Sequence, residues 1–412
     1  MSILKSAFVI VMFACVILYT ENRTFAGEME KEVEINSTVT SERTISEQAI
    51  IARAAVLIDG ETGRVLFGKQ ENMILPMAST TKIMTCILAL ENSFLDEVVE
   101  VSDYAASMPD VQLNIQAGER YRMEDLLYSL MLESHNDVAV AIAEHIGGSV
   151  ELFAGMMNQK ARDIGCSDSY FITPNGLDER DNDMKRIHSS TAKEMARILR
   201  YCLNQSPKRE VFRSITKAPS HSFSDLEHTR TFSCVNHNSL LTTMEGAISG
   251  KTGFTGEAGY CYVGAVQKGE RQFIAAVLGC GWPPHKSYKW LDIKRLIDYG
   301  VKAYDYYEIQ DEPVLLEEVP VNRGIEKSVC LKVCYPKELR KMVLMREDEK
   351  VTIRKKIMRS VSAPVEAGSP AGQLEYYIGS DLIASYPIVT AKEVGLWDFD
   401  FCAKSLLKSF LF

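Results

Sequence analysis

Residues 76–90 read PMASTTKIMTCILAL: a proline, small hydroxyl residues and a lysine, followed by a dense apolar segment. Prolines and hydroxyl residues are common where helices start, so the pattern predicts a helix that begins near Ser79. The backbone N–H groups of a first turn lack intrahelical partners and carry the positive end of the helix dipole. Ser79 would therefore lie where an oxyanion is stabilised. Lys82, three residues later, falls on the same face and can reach the Ser79 hydroxyl.

A serine with a lysine one turn later is a candidate nucleophile beside its general base. The spacing alone is a weak signal. It recurs in this chain at Ser2/Lys5, Ser190/Lys193, Ser214/Lys217 and Ser405/Lys408. The ordinary interpretation of any one copy is a helix-capping serine beside a solvated lysine. Ser79 differs from the others because the helix that follows it is apolar enough to be buried.

Length and composition set the general class of the protein. A chain of 412 residues, with a hydrophobic fraction of 46%, is long enough for two or three domains with sizeable cores. Its net charge of −9 argues against a nucleic-acid partner, which would require a basic face. Lys5, the apolar run 7–19 and the small residues around Ala26 predict a secretory signal peptide over residues 1–26. We therefore expect a secreted, extracytoplasmic protein; an uncleaved membrane anchor is the alternative.

The cysteines and histidines predict neither a disulfide framework nor a metal site. Without Cys15, nine of the ten cysteines remain, an odd number scattered mostly through apolar segments, so we expect free buried thiols. The seven histidines are dispersed and none has metal-ligand spacing. We expect no metal and no other cofactor.

The order of the elements predicts an α+β fold. Residues 27–48 are acidic and polar and are interpreted as a disordered spacer. Strands are predicted at 54–58 and 64–67, then helices from about 94 to 205, then strands at 247–254, 260–267 and 272–278 and a closing helix over 286–306. This order favours an antiparallel sheet covered by helices, with a helical subdomain inserted between its strands, over residues 49–308. A site would lie in the cleft between sheet and subdomain.

The rest of the chain has a different composition. Residues 313–388 alternate as short strands with turns between them and predict a small all-β domain. Residues 389–412 form an aromatic-rich tail in which Leu406, Leu407, Phe410 and Leu411 recur at helical spacing, with Lys404 and Lys408 on another face. We expect this amphipathic tail to lie in the headgroup plane on the outer face of the cytoplasmic membrane. A helix packed on the β domain is the alternative.

Two further motifs accompany Ser79 and Lys82. Ser134-His135-Asn136 falls in a predicted loop between helices, where a simple helix cap is the ordinary interpretation. Lys251-Thr252-Gly253 begins a glycine-rich strand, which lets a ligand backbone approach closely. The order Ser-x-x-Lys, Ser-x-Asn, Lys-Thr-Gly, with each motif on an element that can face one cleft, makes chance agreement improbable.

With these motifs the sequence resembles the penicillin-recognising serine enzymes. Within that group it resembles the D-alanyl-D-alanine carboxypeptidases of the low-molecular-weight penicillin-binding proteins over residues 50–390. The resemblance is carried by ASTTKIMT at 78–85, SHND at 134–137, FITPNGLD at 171–178 and GKTGFT at 250–255. It implies a β-lactamase/DD-peptidase-like fold and the small β domain that follows these peptidases. His135 stands where the family usually has glycine.

The resemblance also implies partners and residue roles. Ser79 would attack the carbonyl between two D-alanines of a peptidoglycan stem peptide, and β-lactams would be inhibitors. Lys82 would be the base, Ser134 the proton relay, and Asn136 would hold Lys82 and the substrate amide. Lys251 and Thr252 would bind the terminal carboxylate of the substrate, and Gly253 would belong to the same substrate-binding strand. The N–H groups of Ser79 and Phe254 would hold the oxyanion.

Three other functions compete with this one. A β-lactamase on the same scaffold needs a Glu-x-x-Leu-Asn segment for its deacylating water, and none occurs between Ser134 and Lys251. A catalytically silent wall-binding protein would not need the full set of catalytic residues. An endopeptidase that cuts cross-links is the third alternative.

Overall fold

The computed structural model describes residues 29–33, 44–181, 183, 185–308, 314–336 and 342–410. The chain forms two units: the larger is Val39–Asp305, and the smaller combines Met1–Thr38 with Tyr306–Phe412. Strand Tyr304–Glu308 lies across this division. The predicted signal peptide, residues 1–26, lies outside the described residues, so it stays a prediction.

The larger unit is built on one five-stranded antiparallel sheet. Its order is Val65–Lys69, Ala54–Asp59, Arg271–Leu278, Gly259–Lys268, Ala247–Thr255. The two ends of the unit thus supply the strands, and the segment between them supplies most of the helices. The predicted fold class is confirmed.

Both faces of the sheet are covered, which explains why its inner strand Ala54–Asp59 is almost continuously apolar. Every residue of Ala54–Asp59 is buried. On one face, a Cβ on Gly300 of helix Tyr288–Ala303 would lie 2.9 Å from atoms of Leu57 and Phe273. On the other face, Val56 belongs to the main hydrophobic core that the inserted helices complete.

The inserted segment folds as helices with two short ribbons. The helices are Lys82–Asn92, Asp103–Ala106, Met123–Leu132, Asn136–Gly147, Val150–Asp163, Ala192–Arg200, Arg209–Lys217 and Leu240–Thr243, with a π turn at Tyr201–Gln205. The ribbons pair Val98–Glu100 with Arg120–Arg122 and Ser220–Ser224 with Thr231–Val235. Side chains of Ser102, Ser149 and Thr191 accept first-turn N–H groups, each worth about 1 kcal/mol of helix stability.

Helix Lys82–Asn92 is the central helix of this unit. Its first nine residues, from Lys82 to Leu90, are all buried. A helix that is apolar on every side is stable only inside a core, where each fully buried leucine or isoleucine contributes about 1.5–3 kcal/mol. The turn before this helix is therefore joined directly to a fully buried element.

Among the described residues, no single helix is long and apolar enough to cross a membrane. One bent pair, Asn136–Gly147 with Val150–Asp163, meets the length and composition requirements only when the two helices are joined.

The smaller unit is mostly β. Its five-stranded sheet has the order Met29–Val33, Val351–Ile357, Pro370–Ile378, Asp381–Thr390, Leu331–Val333. Ser328–Val329, Val319–Asn322 and Val361–Ser362 form a second sheet, Met342–Arg346 is a further strand, and helix Phe399–Phe410 ends the described chain. Leu374 and Ile388 are fully buried in the core of the larger sheet.

Two predicted boundaries differ from the structure. Residues 27–48 are not entirely without structure, because Met29–Val33 pairs with Val351–Ile357 and Glu47–Ala49 forms a 3-10 turn. The strand carries three consecutive charged residues between two apolar ones, and in register Glu30 faces Arg354, so pairing compensates for its low apolar content. At the other end the β unit continues past residue 388: Val394 is buried in a small core, and the tail helix begins at Phe399.

The cysteines differ in part from the prediction. Six of the nine that follow the first 28 residues are free and buried, as expected. Cys330 and Cys334 are exposed, and Cys402 is intermediate. These three cysteines lie in the smaller unit, where short strands and the terminal helix leave more of each side chain exposed to solvent.

Candidate active site

Ser79 lies in a tight 3-10 turn, Ala78–Thr81, that leads into helix Lys82–Asn92. The predicted α-helix thus starts three residues later than Ser79. Ala78 has a φ of 50°, a left-handed conformation that is unfavourable for a residue with a side chain. The hydroxyl of Thr81 donates to the Ala78 carbonyl at 2.8 Å and supports this conformation. The turn presents Ser79 at the edge of the core rather than inside it.

Lys82 is completely buried, and its amine makes three hydrogen bonds. Nζ donates to Ser79 Oγ at 3.1 Å, to Asn136 Oδ1 at 2.8 Å and to the Asn175 carbonyl at 2.7 Å. An ammonium has three protons, so these acceptors satisfy the charged form fully. When the amine loses one proton, its lone pair can accept the Ser79 hydroxyl proton.

The surroundings of Lys82 favour that neutral form. Burial lowers the pKa of Lys82 well below its usual value, the charge of Lys251 lowers it further, and the carboxylate of Asp137 opposes both. A lysine acts as a general base only when it is unprotonated, and burial near a second cation is how proteins achieve this at neutral pH.

Asn136 is oriented by the loop that follows helix Asp103–Ala106. Its Nδ2 donates to the carbonyls of Pro109 and Asp110 at 3.1 and 3.0 Å, so its Oδ1 must face Lys82. The neighbouring Asp137 accepts the N–H groups of Leu113 and Ile115 and holds the same loop. The Ser134-His135-Asn136 motif thus positions one hydrogen-bond acceptor of Lys82 and also forms one wall of the site.

Ser134 and His135 occupy the loop before that helix. Ser134 has a φ of 72°, and its Oγ is buried without a hydrogen-bond partner among the described residues. A buried, unpaired hydroxyl is available for a substrate group. His135 is buried, bonds through Nδ1 to Ser129 Oγ at 2.7 Å, and has a pKa lowered to about 4, chiefly by burial. Among the described residues Ser134 Oγ hydrogen-bonds to neither Ser79 nor Lys82, so its role as a relay stays a prediction.

The Lys-Thr-Gly strand, Ala247–Thr255, lies against the Ser79 turn. A Cβ on Gly253 would come within 2.9 Å of the Ser79 backbone nitrogen, so only glycine lets the strand approach this closely. Thr252 is partly buried and Phe254 is 42% exposed. The backbone N–H groups of Ser79 and Phe254 therefore belong to neighbouring segments at one edge of the site.

Lys251 is a buried cation without an ion-pair partner among the described residues. Its side chain is 2% exposed, and Nζ donates only to the Thr252 carbonyl at 3.1 Å. Burial lowers its pKa to about 7. An incoming carboxylate would supply the missing negative charge.

This gives a first testable prediction. Because Lys251 loses its charge above pH 7, the KM for a substrate with a free carboxylate should rise with pH above 7, by up to about tenfold per unit. The KM for the corresponding C-terminal amide should be high and change little over the same range. Steady-state kinetics from pH 6 to 9 measure both, and equal pH dependence for acid and amide would contradict this role of Lys251.

Sequence reasoning missed one direct partner of the base. The acceptor from Asn175 is a backbone carbonyl, 93 residues away in the chain, and a carbonyl leaves no mark in the residue type. Thr85, one turn along the helix, donates to the neighbouring Pro174 carbonyl at 2.6 Å and fixes this segment. No group of three or more His, Cys, Asp or Glu side chains suited to a metal occurs in the described part of the chain.

Comparison with protein families agrees with this geometry. Residues 41–281 match the model of the peptidase family S11, described as D-alanyl-D-alanine carboxypeptidase. The chain belongs to this carboxypeptidase family. Residues 308–395 match a second model, the C-terminal domain of penicillin-binding protein 5. The two matches correspond to the two units, and the resemblance predicted from the motifs is confirmed.

Individual relatives of the carboxypeptidase family extend the match over most of the chain. The D-alanyl-D-alanine carboxypeptidase DacF of Bacillus subtilis is 32% identical over 359 residues, 84% of this chain and 87% of that protein. Penicillin-binding protein 5 from Haemophilus influenzae shares the fold, with a TM-score of 0.66 at 24% identity over 84% of this chain and 98% of that one. Penicillin-binding protein D2 from Listeria monocytogenes, solved in a cefotaxime-bound form, has a TM-score of 0.53 at 26% identity over 61% of this chain and 98% of that one.

Proposed function

We propose that the protein removes the terminal D-alanine from peptidoglycan stem pentapeptides through an acyl-enzyme on Ser79. One observation carries this proposal: the buried Lys82 amine bonds Ser79 Oγ, Asn136 Oδ1 and the Asn175 carbonyl at once. This is a nucleophile in contact with a base whose neutral form is favoured, as acyl transfer requires.

In the first half of the reaction, neutral Lys82 takes the Ser79 proton while Oγ bonds to the carbonyl carbon between the two D-alanines. The oxyanion is held by the N–H groups of Ser79 and Phe254. The C–N bond then breaks, and Ser134 passes the proton from Lys82 to the amine of the leaving D-alanine. Water attacks the resulting ester in the second half, releases the shortened peptide and restores the Ser79 hydroxyl.

The substrate carboxylate determines specificity in this proposal. Lys251 offers a buried positive charge that lacks an ion-pair partner among the described residues, and Thr252 lies beside it on the same strand. A buried cation favours a carboxylate strongly over an amide, because the amide leaves the charge unpaired. Only a peptide with a free C-terminus would satisfy the site.

The proposal is tested by measuring D-alanine release from a stem pentapeptide, with the matched pentapeptide amide as the control. We expect release of one D-alanine from the acid and at least tenfold slower release of D-alaninamide from the amide, both followed as conversion of the pentapeptide to the tetrapeptide. A cross-linked muropeptide dimer in a parallel reaction distinguishes endopeptidase activity. Cleavage of the dimer without any D-alanine release from the pentapeptide would contradict the carboxypeptidase assignment.

A second prediction concerns the fate of the penicilloyl-enzyme. The sequence between Ser134 and Lys251 has no Glu-x-x-Leu-Asn segment to supply the activated-water glutamate of a β-lactamase, and within the described residues no carboxylate hydrogen-bonds to Ser79 or Lys82. Since a positioned general base contributes about 10²–10⁴-fold, benzylpenicillin should turn over at least about 10²-fold more slowly than the peptide. Stopped-flow acylation followed by chase with a fluorescent penicillin measures the deacylation rate. Rapid multiple turnover would favour the β-lactamase alternative.

We also propose that the protein works outside the cytoplasmic membrane and is held to its outer face by helix Phe399–Phe410. The pattern of residues 1–26 supports export, and peptidoglycan is an extracytoplasmic substrate. Aromatic and apolar side chains near the helix are exposed: Trp397 is 55%, Phe399 88% and Leu406 60% exposed. Aromatic residues of this kind favour the membrane interface.

A third prediction tests this anchor. A chain ending at Asp398 keeps the buried Val394 and should stay folded and active, yet lose binding to vesicles that contain anionic lipid. In the full chain, Leu406→Asp should weaken vesicle binding at least tenfold, since it places a charge on the apolar face. Ser405→Asp adds the same charge on another face and is the matched control. Co-sedimentation measures all three; if the shortened chain binds vesicles as well as the full chain does, the anchor is contradicted.

A further inference from the structure

His188 is a buried histidine that contacts the Ser79 turn from a distant part of the chain. It is 2% exposed and lies shortly before helix Ala192–Arg200. Its Nδ1 accepts the backbone N–H groups of Ile172 and Thr173 at 3.0 and 3.3 Å. Its Nε2 lies 2.7 Å from the Thr81 hydroxyl.

These contacts fix the tautomer of the ring. Nδ1 faces two N–H donors and must be the acceptor, so the ring proton is on Nε2 and is donated to Thr81 Oγ1. The hydroxyl proton of Thr81 is then directed to the Ala78 carbonyl, 2.8 Å away. One chain of hydrogen bonds therefore runs from Ile172 and Thr173 through His188 and Thr81 to the residue before the nucleophile.

The two ends of this chain both lead to Lys82. At one end Ala78 precedes Ser79, whose Oγ accepts from the Lys82 amine. At the other end Thr173 is two residues before Asn175, whose carbonyl also accepts from that amine. Gly176 lets this segment approach the Ser79 turn closely: it has a φ of 85°, and a Cβ there would lie 2.1 Å from the Ala78 carbonyl oxygen. The segment 172–176 thus packs directly on the Ser79 turn.

We propose that His188 is a positioning residue which, through Thr81, holds the Ser79 turn and the Asn175 carbonyl at the separation that the Lys82 amine needs to bridge them. The inference rests on the proposed function of that amine as the base. His188 itself lies behind the turn and bonds to neither Ser79 nor Lys82. It acts by geometry, and misplacement of about 1 Å in a catalytic pair lowers rates by about 10²-fold.

The ring must be neutral for this geometry, because a proton on Nδ1 would face two N–H groups. Burial and, to a smaller extent, the charge of Lys82 together lower the pKa of His188 to about 3. The Lys82 amine, which His188 helps to position, is also affected by two other charges: Lys251 lowers its pKa and Asp137 raises it. In the unfolded chain a histidine binds its proton near pH 6.5, so above that pH the neutral ring costs nothing on folding. As the pH drops from 6.5 toward 3, the unfolded chain is protonated while the folded one is not, and the free energy of unfolding falls.

Thr81→Val tests the proposal, because valine keeps the shape of threonine and removes the hydroxyl. We expect the second-order rate of acylation by benzylpenicillin to fall about tenfold to a hundredfold, whereas Thr81→Ser should stay within about threefold of wild type. His188→Asn, which keeps an acceptor but loses the donor to Thr81, should resemble Thr81→Val. Thr390→Val, at a buried hydroxyl of the smaller unit that donates to the Glu366 carbonyl, is the control for simple destabilisation.

The pH profile of acylation separates positioning from stability. A displaced Asn175 carbonyl no longer favours charged Lys82, so in Thr81→Val and His188→Asn the acid limb should move to lower pH by about half a unit or more. Unchanged acylation rates and an unmoved acid limb in both variants, with only a lower Tm as in Thr390→Val, would overturn the inference. Failure of the wild type to be acylated at all would instead overturn the proposed function.

Discussion

Ser79→Ala is expected to abolish both D-alanine release and covalent acylation by benzylpenicillin. No other hydroxyl is bonded to the Lys82 amine among the described residues, so no second nucleophile is activated. Loss of a serine nucleophile lowers kcat by about 10⁴-fold or more in enzymes that use this chemistry. Release of D-alanine and fluorescent-penicillin labelling after electrophoresis measure the two effects.

Ser214→Ala is the matched control for that variant. Ser214 has the same Ser-x-x-Lys spacing with Lys217, but it is exposed on helix Arg209–Lys217. Its replacement should leave both activities within about twofold of wild type, since surface substitutions rarely matter. Labelling of Ser79→Ala at the wild-type level would show that Ser79 is not the nucleophile.

Replacement of Lys82 is expected to have the next largest effect. Lys82→Met keeps the apolar stem and removes the base, so acylation should slow by about 10²–10⁴-fold. The Asn136 and Asn175 oxygens lose a donor, at a cost of about 1–3 kcal/mol each, but the cost of burying an amine is removed at the same time. We therefore expect this variant, and the smaller Lys82→Ala, to fold. Stopped-flow acylation and circular dichroism measure rate and folding.

The control for Lys82→Met is Lys217→Met, which removes an exposed lysine from the same kind of spacing. It should acylate at the wild-type rate. If Lys82→Met also acylates at that rate while folded, another group is the base and the mechanism proposed here is wrong. A slow rate that recovers at high pH would indicate that hydroxide replaces the missing amine.

Much of the fold could be predicted because each element has a local signal. The apolar runs predicted at 54–58 and 260–267 fall within a residue or two of the observed strands Ala54–Asp59 and Gly259–Lys268. The apolar helix after Lys82 was visible for the same reason. Periodicity depends only on which neighbouring side chains are buried, so it can be read without the tertiary structure.

The remaining features depend on contacts between distant segments. The left-handed Ala78 is stable because Thr81 and the segment around Gly176 support its carbonyl, and alanine has no intrinsic preference for that conformation. The Asn175 carbonyl and the His188 ring reach the site from 93 and 107 residues away. A strand as short and charged as Met29–Val33 is specified by its partner, Val351–Ile357, more than by its own composition.

Mass spectrometry of the protein incubated with benzylpenicillin and, separately, with a stem pentapeptide tests the central claim most directly. With penicillin, we expect one stable adduct of the mass of the intact drug, located by peptide mapping on the peptide that contains Ser79. With the pentapeptide, we expect conversion to the tetrapeptide and one free D-alanine. An adduct on any other residue would contradict this mechanism. So would a pentapeptide that stays intact although penicillin acylates Ser79 in the same preparation.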